Sequence, residues 1–401
     1  MGDRGLFVVS ARFCARSLGA VCPDSGGCRA AADVAQTERG EKASPGPGPG
    51  DPGENVPGQH RVSVFCAPRS PGFGFKGQRR HSLNEHFELT ACPLCGGEKY
   101  QEKLRAPDRF NLCDGSQFRI VSCADCGCVF LNPRPKPADL GAFYREEAYQ
   151  PFLSRQKTDR VWDLLYRWAR FFTVRGKRRR IERLKPGPGK LLDVGCGTGE
   201  FLHEMQRHGW QVAGIEQDEE AAAFARRTYG LEVETGDVGT ERFSERRFDV
   251  VTFWHVLEHL HRPVEVLKNV RERLAEDGLV LVAAPNIGSP DAGFYGAEWI
   301  ALDAPRHLVH FTAQSMRQAC ERAGLRLVSR KPMPLDAVYN CLMSERLALE
   351  GSEAGVPKTF WRYLRGVVVA ARSVLKSTPA FGGRAELGSS ILYLIRKEER
   401  P

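Results

Sequence analysis

Apolar residues along this chain fall into two rhythms. Leu191-Leu192-Asp193-Val194, Trp210-Gln211-Val212-Ala213-Gly214-Ile215, Phe248-Asp249-Val250-Val251-Thr252-Phe253 and Leu279-Val280-Leu281-Val282 are short, almost unbroken apolar runs. Such runs predict strands buried on both faces of a parallel sheet. Leu325 to Arg330 and Ile391 to Ile395 predict two more strands near the C-terminus. The other rhythm is helical. Trp162, Leu165, Trp168, Phe172 and Ile181 recur at a spacing that predicts a helix leading into the strands. Phe360 to Leu375 predicts another, with Val367-Val368-Val369 on a face rimmed by Arg362, Arg365, Arg372 and Lys376. Strands alternating with helices predict an α/β fold with a doubly wound sheet, where ligands bind at the carboxyl ends of the strands.

The first of these runs ends in Gly195-Cys196-Gly197-Thr198-Gly199, followed by the start of a helix at Glu200-Phe201-Leu202. Glycine on alternate positions lets the backbone take positive φ and lets a ligand lie against it. The second run ends at Glu216. An acid about 20 residues past a glycine turn is placed to accept hydrogen bonds from ribose hydroxyls.

The spacing D-x-G-x-G-x-G from Asp193 resembles the first motif of the class I S-adenosylmethionine-dependent methyltransferases. The resemblance continues through Gly236-Asp237-Val238, through Phe248 to Leu260 as the fourth strand and following helix, and through Asp277-Gly278 with the fifth strand. It implies a seven-strand Rossmann-like sheet and a cofactor pocket built from Asp193, Gly195, Cys196, Gly197, Gly199, Glu216, Asp237, Val238 and Trp254. S-adenosyl-L-methionine is the implied cofactor, and the enzyme class is a transferase.

Cysteine usage adds a second element. Of 13 cysteines, Cys92-x-x-Cys95-Gly and Cys123-x-x-Cys126-Gly form two knuckles a hairpin's length apart. Four thiolates match the closed tetrahedral coordination of structural Zn2+, so a zinc ribbon is expected, with Cys113 and Cys128 spare. Beyond it, Asn132-Pro133-Arg134-Pro135, Phe143-Tyr144 and Tyr149 resemble the zinc-ribbon methyltransferases of bacterial type. The expected layout is a disordered, low-complexity region at 1–86, a ribbon at 87–150 and a linker helix at 151–186. A methyltransferase domain at 187–401 follows, with a helical insertion about 340–385.

Candidate chemistry gathers at two places. His255, Glu258 and His259 share a helical face and also spell the inverted zincin pattern H-x-x-E-H, but a metallopeptidase is out of place in an ordered methyltransferase sequence. The ubiquinone-biosynthesis O-methyltransferases look alike here, with glutamate where this chain has His255. In some of them these side chains are associated with a divalent ion, which the substitution puts in doubt. The second place is Pro305-Arg306-His307-Leu308-Val309-His310, in the segment where class I enzymes build the acceptor pocket. His307, His310 and His255 are the candidate catalytic residues, since histidine suits general-base work near neutrality, and Arg306 is a candidate for recognising an anionic acceptor.

The expected activity is methylation of a small-molecule acceptor, O-methylation of a sugar, glycan precursor or phenolic compound. The rivals are a zinc-ribbon RNA methyltransferase, which the net charge of +9 would suit, and a non-catalytic binding protein that keeps the cofactor fold. Stacking aromatics interleaved with the basic run at Arg175 to Lys185 are missing, which counts against RNA. No apolar run approaches the ~18 residues of a membrane span, and a cytoplasmic location is expected. The Phe360–Leu375 helix is expected as a lid on the substrate pocket, with peripheral contact to an anionic membrane as its alternative.

Overall fold

The structure is a computed structural model describing residues 85–108, 117–144, 173–236, 243, 245–349 and 355–398. The expected disordered stretch up to residue 84, most of the linker helix, Asp237, Val238, Cys113 and Tyr149 lie outside the described residues.

Strands β1 (Phe87–Glu88), β2 (Tyr100–Pro107), β3 (Gln117–Cys123), β4 (Val129–Leu131) and β5 (Arg134–Pro135) come first. Helix α1 occupies 173–184. The alternating part follows as β6 (Lys190–Val194), α2 (Glu200–Gln206), β7 (Gln211–Glu216), α3 (Glu219–Tyr229), β8 (Val233–Thr235), β9 (Phe248–Trp254), α4 (Pro263–Arg273) and β10 (Leu274–Pro285). Then come α5 (Pro290–Tyr295), β11 (Val309–His310), α6 (Ala313–Arg322), β12 (Leu325–Pro332), α7 (Pro334–Leu349), α8 (Val356–Ser377) and β13 (Ser390–Lys397).

Seven strands form the main sheet in the order β12-β13-β10-β9-β6-β7-β8. The apolar runs are its middle. After Lys190 every residue of β6 is buried, as is β10 from Gly278 to Ala284, because helices cover both faces. β6 lies parallel to β7 and β9, and β13 is antiparallel between β10 and β12. This is the doubly wound, Rossmann-like α/β sheet that the motif order implied. Its strand order reverses between β6 and β9, so the ends of these two strands open the crevice where a ligand can sit.

A smaller sheet has the order β11-β4-β3-β2. Three of its strands flank the cysteine knuckles in sequence, but β11 comes from the segment that follows β10 of the main sheet. Val309 pairs with Phe130 and His310 with Val129, and the Leu131 amide donates to the Leu308 carbonyl at 3.0 Å. One apolar core therefore runs from Ile120, Phe130 and Leu131 into Trp299, Leu308 and Phe311.

Beside this seam lies a charged clamp. Arg306, fully buried, donates from Nε to Asp303 at 2.8 Å, from Nη2 to Asp108 at 3.1 Å and from Nη1 to the Phe143 carbonyl at 3.4 Å. Burial disfavours the guanidinium charge, but the Asp303 and Asp108 carboxylates outweigh it and hold Arg306 protonated more firmly than in water. The anion-recognition role expected of Arg306 is thus corrected: its donors are consumed inside the protein.

The insertion starts at Pro334 and forms an antiparallel-packed pair. α8 turns Gly366, Ala370, Ser373 and Ser377 inward, and these small side chains let it settle on α7 and α5. Glu345 of α7, fully buried, takes a two-pronged ion pair from Arg365 at 2.7 Å on each oxygen. The first turn of α7 reaches the strand ends, where Asp336 pairs with His255 at 3.1 Å, while α8, expected as a lid, packs on α7 and α5.

Gly214 in β7 shows how tightly the sheet is covered. A side chain there would come within 2.6 Å of Cys196 Sγ and 2.8 Å of Leu202 Cδ1. Gly214→Val is expected to destabilise the fold by about 1–3 kcal/mol through overpacking, read by denaturant unfolding of the full chain. Unchanged stability would show that α2 packs more loosely on β7 than described.

Candidate functional site

The glycine loop that joins β6 to α2 takes left-handed backbone at Gly195, Gly197 and Gly199, with φ of 71°, 55° and 83°. The three positions serve different ends. A side chain at Gly199 would strike Leu231 Cδ1 at 2.7 Å and one at Gly195 would strike Val256, whereas among the described residues nothing lies within 4 Å of a side chain placed at Gly197. Gly195 and Gly199 are bare so that the turn can pack. Gly197 is bare beside open space, which is where a ligand can lie on the backbone.

Glu216 closes the other side of that space. One of its carboxylate oxygens accepts from the Gly197 amide at 2.7 Å and the other from the Asp218 amide at 2.9 Å. Burial raises its pKa, the amide donors working against the rise. Asp193, at the end of β6, is buried and accepts from Thr252 Oγ1 at 2.5 Å; burial pushes its carboxyl up to about 7. Cys196 is buried in the loop, and burial holds its thiol well above the ordinary range, so it is a packing group. Trp254, ending β9, sets its ring edge-on to Phe201 with centroids 5.7 Å apart. Lys177 of α1, unnoticed in the sequence, stands with Nζ 4.4 Å from the Trp254 ring centroid, and helps to offset the charge that burial would otherwise remove from Asp193.

Past β9 the chain turns sharply at His255, whose φ of 58° is rare for a residue with a side chain. Its Nε2 pairs with Asp336 of α7 at 3.1 Å and its Nδ1 lies 3.6 Å from Glu258. Desolvation disfavours the charge, but these two carboxylates outweigh it and raise the imidazole pKa to about 10. Protonated near neutrality, His255 has no lone pair for a general base, and that expectation is corrected. Asp336 could not have been read from spacing, since it lies 81 positions from His255 on a separate helix.

The remaining groups converge. Glu258 is 1% exposed, and among the described residues neither carboxylate oxygen has a hydrogen-bond donor, His255 Nδ1 lying 3.6 Å away. Burial disfavours its charge, but His255 beside it holds the pKa below the usual range. His307 directs Nδ1 to the Ala301 carbonyl at 2.9 Å. A carbonyl only accepts, so Nδ1 carries a proton, while Nε2 lies 3.9 Å from Asp303 Oδ2. His259 stacks edge-on to His307 at 4.5 Å and shares Nδ1 with the Tyr144 hydroxyl at 2.7 Å. Burial, then the neighbouring His307, lower His259 to about 4. His310 is buried with Nε2 unpartnered among the described residues, and burial lowers it to about 3. Donor atoms of Glu258, His259 and His307 all lie within 4.8 Å of one another. The trio replaces the expected grouping of His255 with Glu258 and His259: the turn sends His255 to Asp336, and the Pro305–His310 segment brings His307 in.

Away from these strand ends, Cys92, Cys95, Cys123 and Cys126 present four sulfurs within 4.8 Å of one another. Cys92 and Cys126 are 3.5 Å apart, Cys95 and Cys123 3.6 Å. Sulfurs bound tetrahedrally at ~2.3 Å from zinc stand ~3.8 Å apart, so the set has the size and donor chemistry of a closed site. Gly96 and Gly127, with φ of 77° and 72°, turn the two knuckles. Cys128 points instead to the Val129 carbonyl.

Residues 166–330 match a family described as a methyltransferase domain. A ubiquinone biosynthesis O-methyltransferase of Azoarcus sp. (strain BH72) is 31% identical over 165 residues, covering 37% of this chain and 71% of that protein. The enzyme of the same name from Pseudomonas aeruginosa (strain LESB58) is 32% identical over 126 residues, 29% of this chain, and the chain spans 54% of its length. Among solved structures, a SAM-dependent methyltransferase from Archaeoglobus fulgidus is 18% identical with a TM-score of 0.39, covering 60% of this chain and all of that one. With a glycine loop bare at Gly197, an acid hydrogen-bonded to that loop and this sequence kinship, the chain belongs to the class I S-adenosylmethionine-dependent methyltransferases.

Proposed function

We propose that this protein transfers the methyl group of S-adenosyl-L-methionine to a hydroxyl oxygen of a small-molecule acceptor: a sugar, a glycan precursor or a phenolic compound. The observation that carries the reading is the buried His307, its Nδ1–H held by the Ala301 carbonyl, with the Glu258 carboxylate inside the same 4.8 Å cluster. The name shared by the Azoarcus and Pseudomonas relatives supports oxygen as the atom methylated.

The bound cofactor supplies an electrophilic methyl on a sulfonium and departs as a neutral thioether, so the protein has no leaving-group charge to stabilise. What it must do is align and exclude water. Glu216 is placed to take ribose hydroxyls with the lone pairs its two amide donors leave over, and the bare Gly197 lets the cofactor approach the loop. Asp193, at the loop's entry, orients it together with Thr252. Asp237 and Val238 belong to the adenine side by the family's motif. Trp254 walls the methionine end.

His307 takes the acceptor's hydroxyl proton on Nε2. Its Nδ1–H stays on the Ala301 carbonyl, which fixes the tautomer, and Glu258 steadies the imidazolium that forms. His310 is a weaker base, because its burial makes protonation costly. Cys92, Cys95, Cys123 and Cys126 hold structural Zn2+, a full ligand set with no open position for substrate.

Calorimetric titration with S-adenosylhomocysteine tests the cofactor half of this reading. Glu216→Ala and Gly197→Val are each expected to weaken binding at least tenfold, and wild-type heat from both would overturn it. His307→Gln should leave that binding intact and lower turnover of a methylated hydroxyl acceptor by about 10²–10⁴-fold, the usual range for a general base. Activity within twofold of wild type would remove His307 from the reaction. For the knuckles, elemental analysis should find one zinc per chain. Cys92→Ser with Cys123→Ser should lose the metal and lower the melting temperature, while zinc-free wild-type protein of full stability would refute the assignment.

A further inference from the structure

We propose that the outward face of α8 docks on the anionic phospholipid surface of a membrane. At 3.6 residues per turn, Val356, Phe360, Leu364, Val367 and Leu375 fall on one stripe, and 84%, 61%, 40%, 52% and 52% of their respective surfaces face solvent. Trp361 and Val368 widen it, 65% and 58% exposed, and Phe294 of α5 stands beside it at 53%. Between α5 and α8 runs an open groove of about 700 Å³. A contiguous apolar patch of this kind marks an interaction surface.

Charge identifies the partner. The 22 residues of α8 hold Lys358, Arg362, Arg365, Arg372 and Lys376 and not one acid. The cations follow one edge of the apolar stripe. Arg362 and Arg365 face the buried Glu345, which takes up one charge. Lys358, Arg372 and Lys376 have no ion-pair partner among the described residues. An aromatic and aliphatic stripe beside a cationic row is the build of a helix that lies in the headgroup region, acyl chains against the stripe and lipid phosphates against the row.

Two other occupants fit less well. A second copy of this chain would bring two acid-free cationic rows together, with like charges opposed. A single-stranded nucleic acid would stack on Phe360 and Trp361 but would press phosphates over the aliphatic centre at Leu364, Val367 and Val368. No helix among the described residues is long and apolar enough to cross a membrane, so docking would be peripheral.

The test is flotation of the full chain with phosphatidylcholine vesicles, with and without phosphatidylglycerol. Partition into the anionic vesicles is expected, weakening as salt is raised, with a blue shift of tryptophan fluorescence that Trp361→Phe diminishes. Neutralising Arg372 and Lys376 by Arg372→Gln and Lys376→Gln should reduce partition about fivefold for each cation. Trp361→Ser with Val368→Ser should abolish it. These positions are on the outer layer, so every variant should bind S-adenosylhomocysteine as wild type does, which separates loss of docking from loss of fold. The proposal is overturned if the chain partitions equally into both vesicle types, or if the variants float like wild type. It is also overturned by tighter binding to single-stranded RNA than to vesicles, or by a dimer that Val368→Ser dissociates in the absence of lipid.

Discussion

The arrangement at the strand ends depends on one seam, where the Pro305–His310 segment is fastened to the N-terminal sheet. The segment leaves the main sheet after β10, pairs as β11 with β4, and is pinned by Arg306 between Asp108 and Asp303. A buried guanidinium with both carboxylates removed would be left uncompensated, a cost of about 3–5 kcal/mol. The clamp therefore tolerates few alternatives, and the same few residues carry His307 and His310. Tyr144, from the N-terminal part, completes the seam by bonding His259. The cysteine knuckles are thus tied through β3 and β4 to the Pro305–His310 segment.

Within the site, neighbouring histidines are driven in opposite directions. His255 gains two carboxylates and stays protonated, whereas His259 and His310 gain mostly burial, then the neighbouring His307, and stay neutral. Environments that split like groups in this way allow acid and base roles to coexist near neutral pH. The cofactor side shows the same division. Asp193 is drawn toward neutrality by burial, and Glu216, half-buried, is supported by backbone donors.

The sheet was legible because its strands are buried on both faces, which writes them as unbroken apolar runs; β6, β7, β9 and β10 stand where those runs fall. The glycine loop and Glu216 were legible because backbone chemistry imposes fixed spacing within one β-α-β unit. The cysteine pairs were legible for a similar reason, each knuckle being four residues long. What escaped was long-range. Asp336 reaches His255, Asp108 reaches Arg306, and Lys177 reaches Trp254 across separations that leave no local period. β11 is two residues of strand inside a loop, too short to show alternation. Arg306 looked like a substrate contact because a basic residue among histidines invites that reading, and only its burial between two acids reveals otherwise.

Because β11 belongs to one sheet by hydrogen bonds and to the other by chain continuity, the N-terminal module cannot be exchanged as a free cassette. A chimera that grafted a foreign ribbon onto this Rossmann-like half would have to bring a matching edge for Val309 and His310. Acceptor choice and knuckle architecture would then have to diversify together, as one inherited unit.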